Sequence, residues 1–154
     1  MDFKISQTDI LRTLMNKKDF IPIPSCFDAL SAKLIEQAKF DVTFMSGFAA
    51  SASRIGSPDL GLMTFSEVFD QAKNICNAIN IPMIVDGDTG YGNAMNVRRT
   101  LKECSKAGCA GILIEDQLAP KRCGHTPGKD VVQRKEAFDR IRAASDMRSE
   151  GYDI

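Results

Sequence analysis

The sequence predicts an α/β protein whose strands lie parallel in one sheet. Three observations carry that prediction. Short, apolar, β-prone runs alternate with stretches of helical period along the chain. The strand runs are apolar on both faces, as expected of a sheet covered by helices. Polar residues collect just after the strand runs, and in a parallel α/β fold those positions share the ligand-binding face. No repeat, low-complexity tract or Pro/Gly/Ser linker divides the 154 residues, so one domain is expected. Hydrophobic residues at 44% and charged residues at 26% are ordinary for a globular domain. The 20 basic and 20 acidic side chains balance, which gives no electrostatic footprint for nucleic acid or an anionic membrane. No apolar run approaches the roughly 20 residues that span a bilayer. The N-terminus lacks the apolar core of a secretory signal, and five cysteines at irregular spacing make no disulfide framework. A cytoplasmic location is the expectation.

Phe20–Pro24 (FIPIP) reads as the first strand, bounded by turn residues. The run 29–38 places Leu30, Leu34, Ile35 and Ala38 at helical spacing. The run 41–45 (DVTFM) reads as the second strand, followed by a loop rich in Gly, Ser and Ala. A helix is predicted over 64–79, with Thr64 as N-cap and Glu67 three residues on. The run 81–85 is the third strand. A third helix over 94–107 ends at the C-cap signal Gly108, and 110–114 is the fourth strand. About fifteen loop residues follow, long enough to point to function. A last helix over 131–147 is expected to turn its charges outward. Two architectures accommodate this order: a small doubly wound sheet, or part of a (β/α)8 barrel. A whole barrel needs about 250 residues, so length alone favours the doubly wound sheet.

Asp86 and Asp88 follow the third strand in Asp86-Gly87-Asp88-Thr89-Gly90-Tyr91-Gly92, and a spacing of two can aim both carboxylates at one point. Converging carboxylates share a proton or a cation. Oxygen donors without a histidine cluster suit Mg²⁺ or Mn²⁺, and Glu115, after the fourth strand, supplies a third carboxylate. The turn-and-cap role common for Asp, Thr and Gly is the competing account. An EF-hand is excluded, because Tyr91 and Val97 stand where its loop needs Gly and Glu. Cys123 lies among Lys121, Arg122, Gly124 and the single histidine, His125, in company that favours a reactive thiol. Cys26, Cys76, Cys104 and Cys109 lie in apolar surroundings and read as core residues, and Cys104/Cys109 lack the second ligand pair of a zinc site. Neither the 124–130 run nor Gly90 and Gly92 completes a nucleotide-binding motif.

These pieces together resemble the isocitrate lyase/phosphoenolpyruvate mutase superfamily, in its 2-methylisocitrate lyase and carboxyphosphonoenolpyruvate phosphonomutase branch. The resemblance rests on Phe27-Asp28-Ala29-Leu30-Ser31-Ala32, on Gly56 to Leu62, on the aspartate loop 86–92, on Gly111-Ile112 through Glu115-Asp116-Gln117 and on Lys121-Arg122-Cys123-Gly124-His125. It covers about residues 10–148. It implies a (β/α)8 barrel of which this chain is the N-terminal half, about four βα units, stopping before strand five. It also implies Mg²⁺ held by Asp86 and Asp88, with Glu115 and Asp59 supporting. Ser46, Gly47 and Phe48 would hold a substrate carboxylate, aided by Asp86 and Gly124. Cys123, Lys121, Arg122 and His125 would be the catalytic group on a closing loop. The implied reaction cleaves 2-methylisocitrate or a related 2-hydroxy acid to pyruvate and succinate. P–C bond formation and an inert fragment are the alternatives. The implied partners are a small carboxylate substrate and, for the longer protein, copies of itself in a tetramer. The chain departs from the methylisocitrate lyase pattern at Phe44, where a tyrosine is usual, and at Phe48, where a small residue is usual.

Overall fold

Four parallel strands pair in chain order, β1-β2-β3-β4, in the computed structural model, which describes residues 6–17 and 20–154. The elements are α1 (Gln7–Met15), β1 (Ser25–Cys26), α2 (Ala29–Gln37), β2 (Thr43–Met45), α3 (Gly47–Ile55), α4 (Phe65–Ala78), β3 (Met83–Asp86), α5 (Ala94–Ala107), β4 (Gly111–Leu113) and α6 (Arg134–Ser149). Phe44 pairs with Ser25 on one side and Ile84 on the other, and Val85 pairs with Ile112. A doubly wound sheet reverses its strand order at a switch point. This sheet never reverses, and its helices neighbour one another in turn, α2 on α4, α4 on α5 and α5 on α6. That is the winding of a barrel wall, and it corrects the preference drawn from length.

The main core lies between the sheet and this helical layer. Cys26, Met45, Met83 and Val85 from the strands meet Val68, Ala72 and Ile75 of α4 and Val97 and Leu101 of α5. A second cluster of Leu11, Leu14, Val42 and Ala110 sits under the starts of the strands, so α1 closes that end of the sheet. Local signals set the helix ends. Thr64 accepts from the Glu67 N–H while Glu67 accepts from the Thr64 N–H at 2.7 Å, satisfying two donors that the first turn cannot pair internally. Gly108 ends α5 at φ 92, a conformation that costs a side-chain-bearing residue strain.

Four expectations shift. The strand predicted over 20–24 pairs only from Ser25. Pro22 and Pro24 have no N–H to give a ladder, and Pro24 contributes its carbonyl to the Phe44 N–H instead. The loop predicted after β2 is helix α3, capped by Ser46, which accepts from the Ala49 N–H; its alanines favour helix once that cap is made. Helix α1 went unpredicted although Ser6 accepts from the Asp9 N–H and Leu11 and Leu14 are buried at helical spacing. Finally, α6 begins at Arg134, because Val131 is engaged in an antiparallel bridge with Gln117, and its charges do not all face outward: Arg140 is 4% exposed.

Thr64→Ala should cost about 1 kcal/mol in chemical denaturation. Its cap lowers the Glu67 carboxyl below 4.5, first through the Thr64 N–H. A depressed carboxyl stabilises the fold above its ordinary value and loses that contribution as pH falls through its folded value. Alanine keeps the residue-64 N–H and loses only the hydroxyl's contribution, so the gap between parent and variant should narrow slightly in acid below about 4.5, as read from denaturation midpoints.

Candidate active site at the strand ends

Ser46, Asp86 and Glu115 follow or end neighbouring strands, so one edge of the sheet presents them together. Pairing continues past the regular ladder, with the Gly87 N–H donating to Leu113 O and the Glu115 N–H to Asp88 O at 2.7 Å. Gly87 must be glycine, since a Cβ there would lie 2.7 Å from Leu113 O. Asp86 and Asp88 do converge, though not by strand period. Asp86 is the last strand residue, whereas Asp88 is already left-handed at φ 47, and its N–H turns back to Asp86 Oδ1 at 3.1 Å. The other oxygen, Asp86 Oδ2, accepts from the Gly47 N–H at 3.2 Å, at the first turn of α3. A Cβ on residue 47 would sit 2.7 Å from that oxygen, so glycine is what lets the carboxylate seat there.

Lys121 is buried between acids. Its Nζ lies 2.7 Å from Asp59 Oδ2 and 2.7 Å from Asp88 Oδ1, with side chains 4%, 10% and 11% exposed. Its alignment is good toward Asp59, leaving Asp88 Oδ1 buried without an aligned donor. Burial opposes the lysine's charge, but Asp88 and Asp59 outweigh it and raise its pKa. Asp88 is pushed up by burial and then by Asp86, with Lys121 offsetting part of the rise. Glu115 is likewise raised, chiefly by burial. Tyr91, also left-handed, donates its hydroxyl to Asp88 Oδ2 at 3.1 Å, and its own ionisation is pushed up by burial and by that neighbour.

The segment after β4 is tied down at several points. Gln117 Nε2 donates to Glu115 Oε2 at 2.7 Å and to Arg122 O at 2.9 Å, while the Arg122 N–H returns to Gln117 Oε1 at 3.0 Å. Arg140 of α6 donates to the carbonyls of Glu115 and Gln117. The Cys123 N–H donates to Asp59 O, and Cys123 is 7% exposed. Lys121 is thus committed to aspartates, Arg122 reaches Pro127 O, and His125 and Gly124 are exposed in the turn beyond. Among the described residues no cationic group hydrogen-bonds Cys123 Sγ. A small hollow of 230 Å³ lies beside Asp88, Tyr91 and Lys121. A larger one, 670 Å³, lies beyond the end of β4, between Ile114–Gln117 and Phe138 and Ile141 of α6, and meets the acidic cluster through Glu115.

The first turn of α3 offers fewer free donors than expected. The Ser46 N–H donates to Cys26 O and the Ala49 N–H to Ser46 Oγ, while Gly47 is held by Asp86. Phe48 N–H is the first-turn donor without a protein partner among the described residues, beneath a side chain 54% exposed. Sequence reasoning assigned no role to Tyr91, Gln117 or Arg140. The first two sit inside quoted motifs, where a buried polar partner was a natural suspicion; Arg140 carries no local signal.

A parallel sheet wound in order, with acids and a tethered loop at the strand ends, defines a barrel-type enzyme scaffold. The chain belongs to the phosphoenolpyruvate phosphomutase family, whose model matches residues 11–154. It is 44% identical over 138 residues to 2,3-dimethylmalate lyase of Eubacterium barkeri, covering 90% of this chain and 48% of that protein. It is 46% identical over 134 residues to the chloroplastic carboxyvinyl-carboxyphosphonate phosphorylmutase of Arabidopsis thaliana, covering 86% and 40%. It is 44% identical over 135 residues to 2-methylisocitrate lyase of Halalkalibacterium halodurans, covering 88% and 45%. Among solved structures, 2,3-dimethylmalate lyase aligns with TM-score 0.92 at 40% identity, covering 98% of this chain and 51% of that one. Oxaloacetate acetylhydrolase with 3,3-difluorooxalacetate aligns with TM-score 0.91 at 39% identity, covering 94% and 50%. Phosphonopyruvate hydrolase with oxalate and Mg²⁺ aligns with TM-score 0.84 at 31% identity, covering 94% and 49%. The chain therefore spans about half the length of the relatives it matches.

The acidic cluster fits a hard divalent cation in its donor chemistry: oxygen donors only, a buried Asp88 oxygen without an aligned partner, and two carboxyls raised by burial. Among the described residues, no three His, Cys, Asp or Glu side chains converge closely enough to wrap one ion. Asp59 is engaged by Lys121 and Glu115 by Gln117. The arrangement matches Mg²⁺ coordination by one or two carboxylates with water better than a four-carboxylate cage.

Removing the ammonium while keeping the bulk, Lys121→Met, leaves Asp59 and Asp88 buried without a cation. The loss should be about 3–5 kcal/mol in urea unfolding. A loss below about 1 kcal/mol, the range of exposed pairs, would show that water, not Lys121, neutralises the cluster.

Proposed function

We propose that these residues form the N-terminal half of a (β/α)8 barrel that cleaves a carbon–carbon bond in a small 2-hydroxy di- or tricarboxylate, 2-methylisocitrate or a close relative, with Mg²⁺. The products would be an α-keto acid such as pyruvate and a dicarboxylate such as succinate. The observation that carries the proposal is the convergence of half-buried Asp86 and buried Asp88 at the strand ends, one Asp88 oxygen lacking an aligned donor, beside a tethered loop bearing Cys123. The 2-methylisocitrate and 2,3-dimethylmalate lyase relatives support the substrate class.

Asp86 and Asp88 would hold Mg²⁺, Mn²⁺ serving in its place, and Asp59 and Glu115 would act through Lys121, Gln117 or water. When bound, the cation supplies Lewis-acid stabilisation for negative charge on the substrate's 2-oxygen. The chain's residues do the rest. Gly47 and Asp88 N–H groups fix both oxygens of Asp86, so its orientation is set before substrate arrives. Ser46 Oγ, which accepts from Ala49, retains its proton to donate, and with Phe48 N–H it would receive a substrate carboxylate. Arg122 and His125, exposed in the turn, would pair with further carboxylates as the loop closes and excludes water. The Cys123 thiol would then protonate the carbon released as the dicarboxylate.

The test is Mg²⁺-dependent formation of α-keto acid from 2-methylisocitrate by the protein as cells make it, with loss on chelation. A phosphonate product from a carboxyphosphonate substrate would favour the reading that the Arabidopsis relative supports, P–C bond formation. No turnover of either would favour an inert fragment. The half-barrel part is tested by intact mass in source cells: the 154 residues alone weigh 16.9 kDa, and a whole barrel adds about 100 residues or more.

Two substitutions separate the roles. Cys123→Ser should lower kcat at least about 100-fold, the usual contribution of a placed proton donor, while cation binding is unchanged; retained turnover removes Cys123 from the chemistry. Gly47→Ala should displace the Asp86 carboxylate and weaken Mn²⁺ binding about 10–100-fold, as losing a partner of a metal ligand does. Electron paramagnetic resonance of free Mn²⁺ reads the change.

A further inference from the structure

At the other end of the sheet, three of the cysteines expected only to fill the core come together. Cys76 lies near the end of α4, Cys104 on the last turns of α5, and Cys109 between the Gly108 cap and β4. Cys76 Sγ and Cys109 Sγ are 3.8 Å apart, across 33 residues of chain. The backbones approach as well: a Cβ on Gly108 would lie 3.7 Å from Cys76 Cβ.

We infer that Cys76 and Cys109 form a dithiol that a hydroperoxide oxidises to a disulfide, a modification site separate from the acidic cluster. The inference does not rest on the proposed lyase reaction. Access is graded in the order the chemistry needs. Cys76 is only partly buried, whereas Cys109 is 1% exposed, so a small oxidant reaches Cys76 first. The Cys109 S–H contact lowers the Cys76 pKa against the effect of burial, which favours thiolate on the accessible sulfur. Cys109 is raised by its contacts with Cys104 and Cys76 and by burial, so it keeps its proton until the second step. In the first step Cys76 sulfur attacks a peroxide oxygen, the O–O bond breaks, and the departing hydroxide takes the thiol proton as water. In the second, Cys109 sulfur attacks the Cys76 sulfenic sulfur and displaces hydroxide, which leaves with the Cys109 proton as a second water. The two thiols lose two electrons and the peroxide gains them.

The bridge would pin the end of α4 to the segment entering β4, at the end of the strands away from Asp86 and Asp88. The test treats the native full chain with hydrogen peroxide near stoichiometry, alkylates the remaining thiols after unfolding, and maps the peptides by mass. A Cys76–Cys109 linkage, lighter by two hydrogens and reversed by dithiothreitol, is expected. It should persist in Cys104→Ser and vanish in Cys76→Ser. The oxidised protein should melt at least about 4 °C above the reduced one. A Cys104–Cys109 linkage, sulfinic acid on Cys76 without a linkage, or full alkylation of both thiols would each overturn the inference. The parent map decides even where a variant folds poorly.

Discussion

Like charges gathered at the C-terminal ends of β3 and β4 are the constraint that the rest of this structure answers. Asp86, Asp88, Asp59 and Glu115 would repel one another if left alone in a buried site. The answer comes in parts: Lys121 pairs with both Asp59 and Asp88 at 2.7 Å, its aligned hydrogen bond going to Asp59, and backbone N–H groups hold Asp86. Asp88 Oδ1 lies 2.7 Å from that ammonium yet without an aligned hydrogen bond. Burying acids this closely is costly for folding, a cost that a bound cation would offset. The glycines at 47 and 87 let carboxylate and backbone approach closer than side chains there would allow, and the left-handed Asp88 and half-buried Tyr91 complete the cluster.

Sequential winding explains why these groups meet. In a sheet ordered β1-β2-β3-β4 every strand end faces the same way, so each strand-to-helix turn adds one contribution to a common rim. The N-terminal ends bear packing instead, with α1 against Val42 and Ala110 and the cysteine cluster beside β4. Chemistry and stability are thus divided between the two ends. Among the described residues β4 pairs only with β3, and Leu113 at its end is exposed, as are Phe138 and Ile141 of α6, which line the 670 Å³ hollow. Exposed apolar surface of that kind is normally covered.

Much of this was legible in the sequence where local physics decides. The Thr64/Glu67 box fixed the start of α4, and Gly108 the end of α5, because caps act within one turn. The aspartate loop and Glu115 were visible as residues after strands, and sheet order then put them on one rim. What was hidden depends on partners distant in sequence or on a backbone departing from the regular period. Lys121 looked like a neighbour of Cys123, yet its partner Asp59 is 62 residues away. Asp88 looked like a strand position but is left-handed. Gly, Ser and Ala after β2 suggested a loop, and only the Ser46 cap makes them a helix. Arg140 gives no sign within α6 that it turns inward to the Glu115 and Gln117 carbonyls.

The Gln117–Val131 bridge has a consequence for timing. Together with Leu118 N–H to Asp130 O and Val132 N–H to Asp116 O, it zips the base of the long segment after β4. A segment zipped at its base has its ends already joined, so most of the entropy of ordering it is lost during folding and little remains to be lost in each opening and closing. Within it, the two hydrogen bonds between Gln117 and Arg122 close a smaller ring. The ordering entropy of this segment is therefore lost chiefly once, when the chain folds.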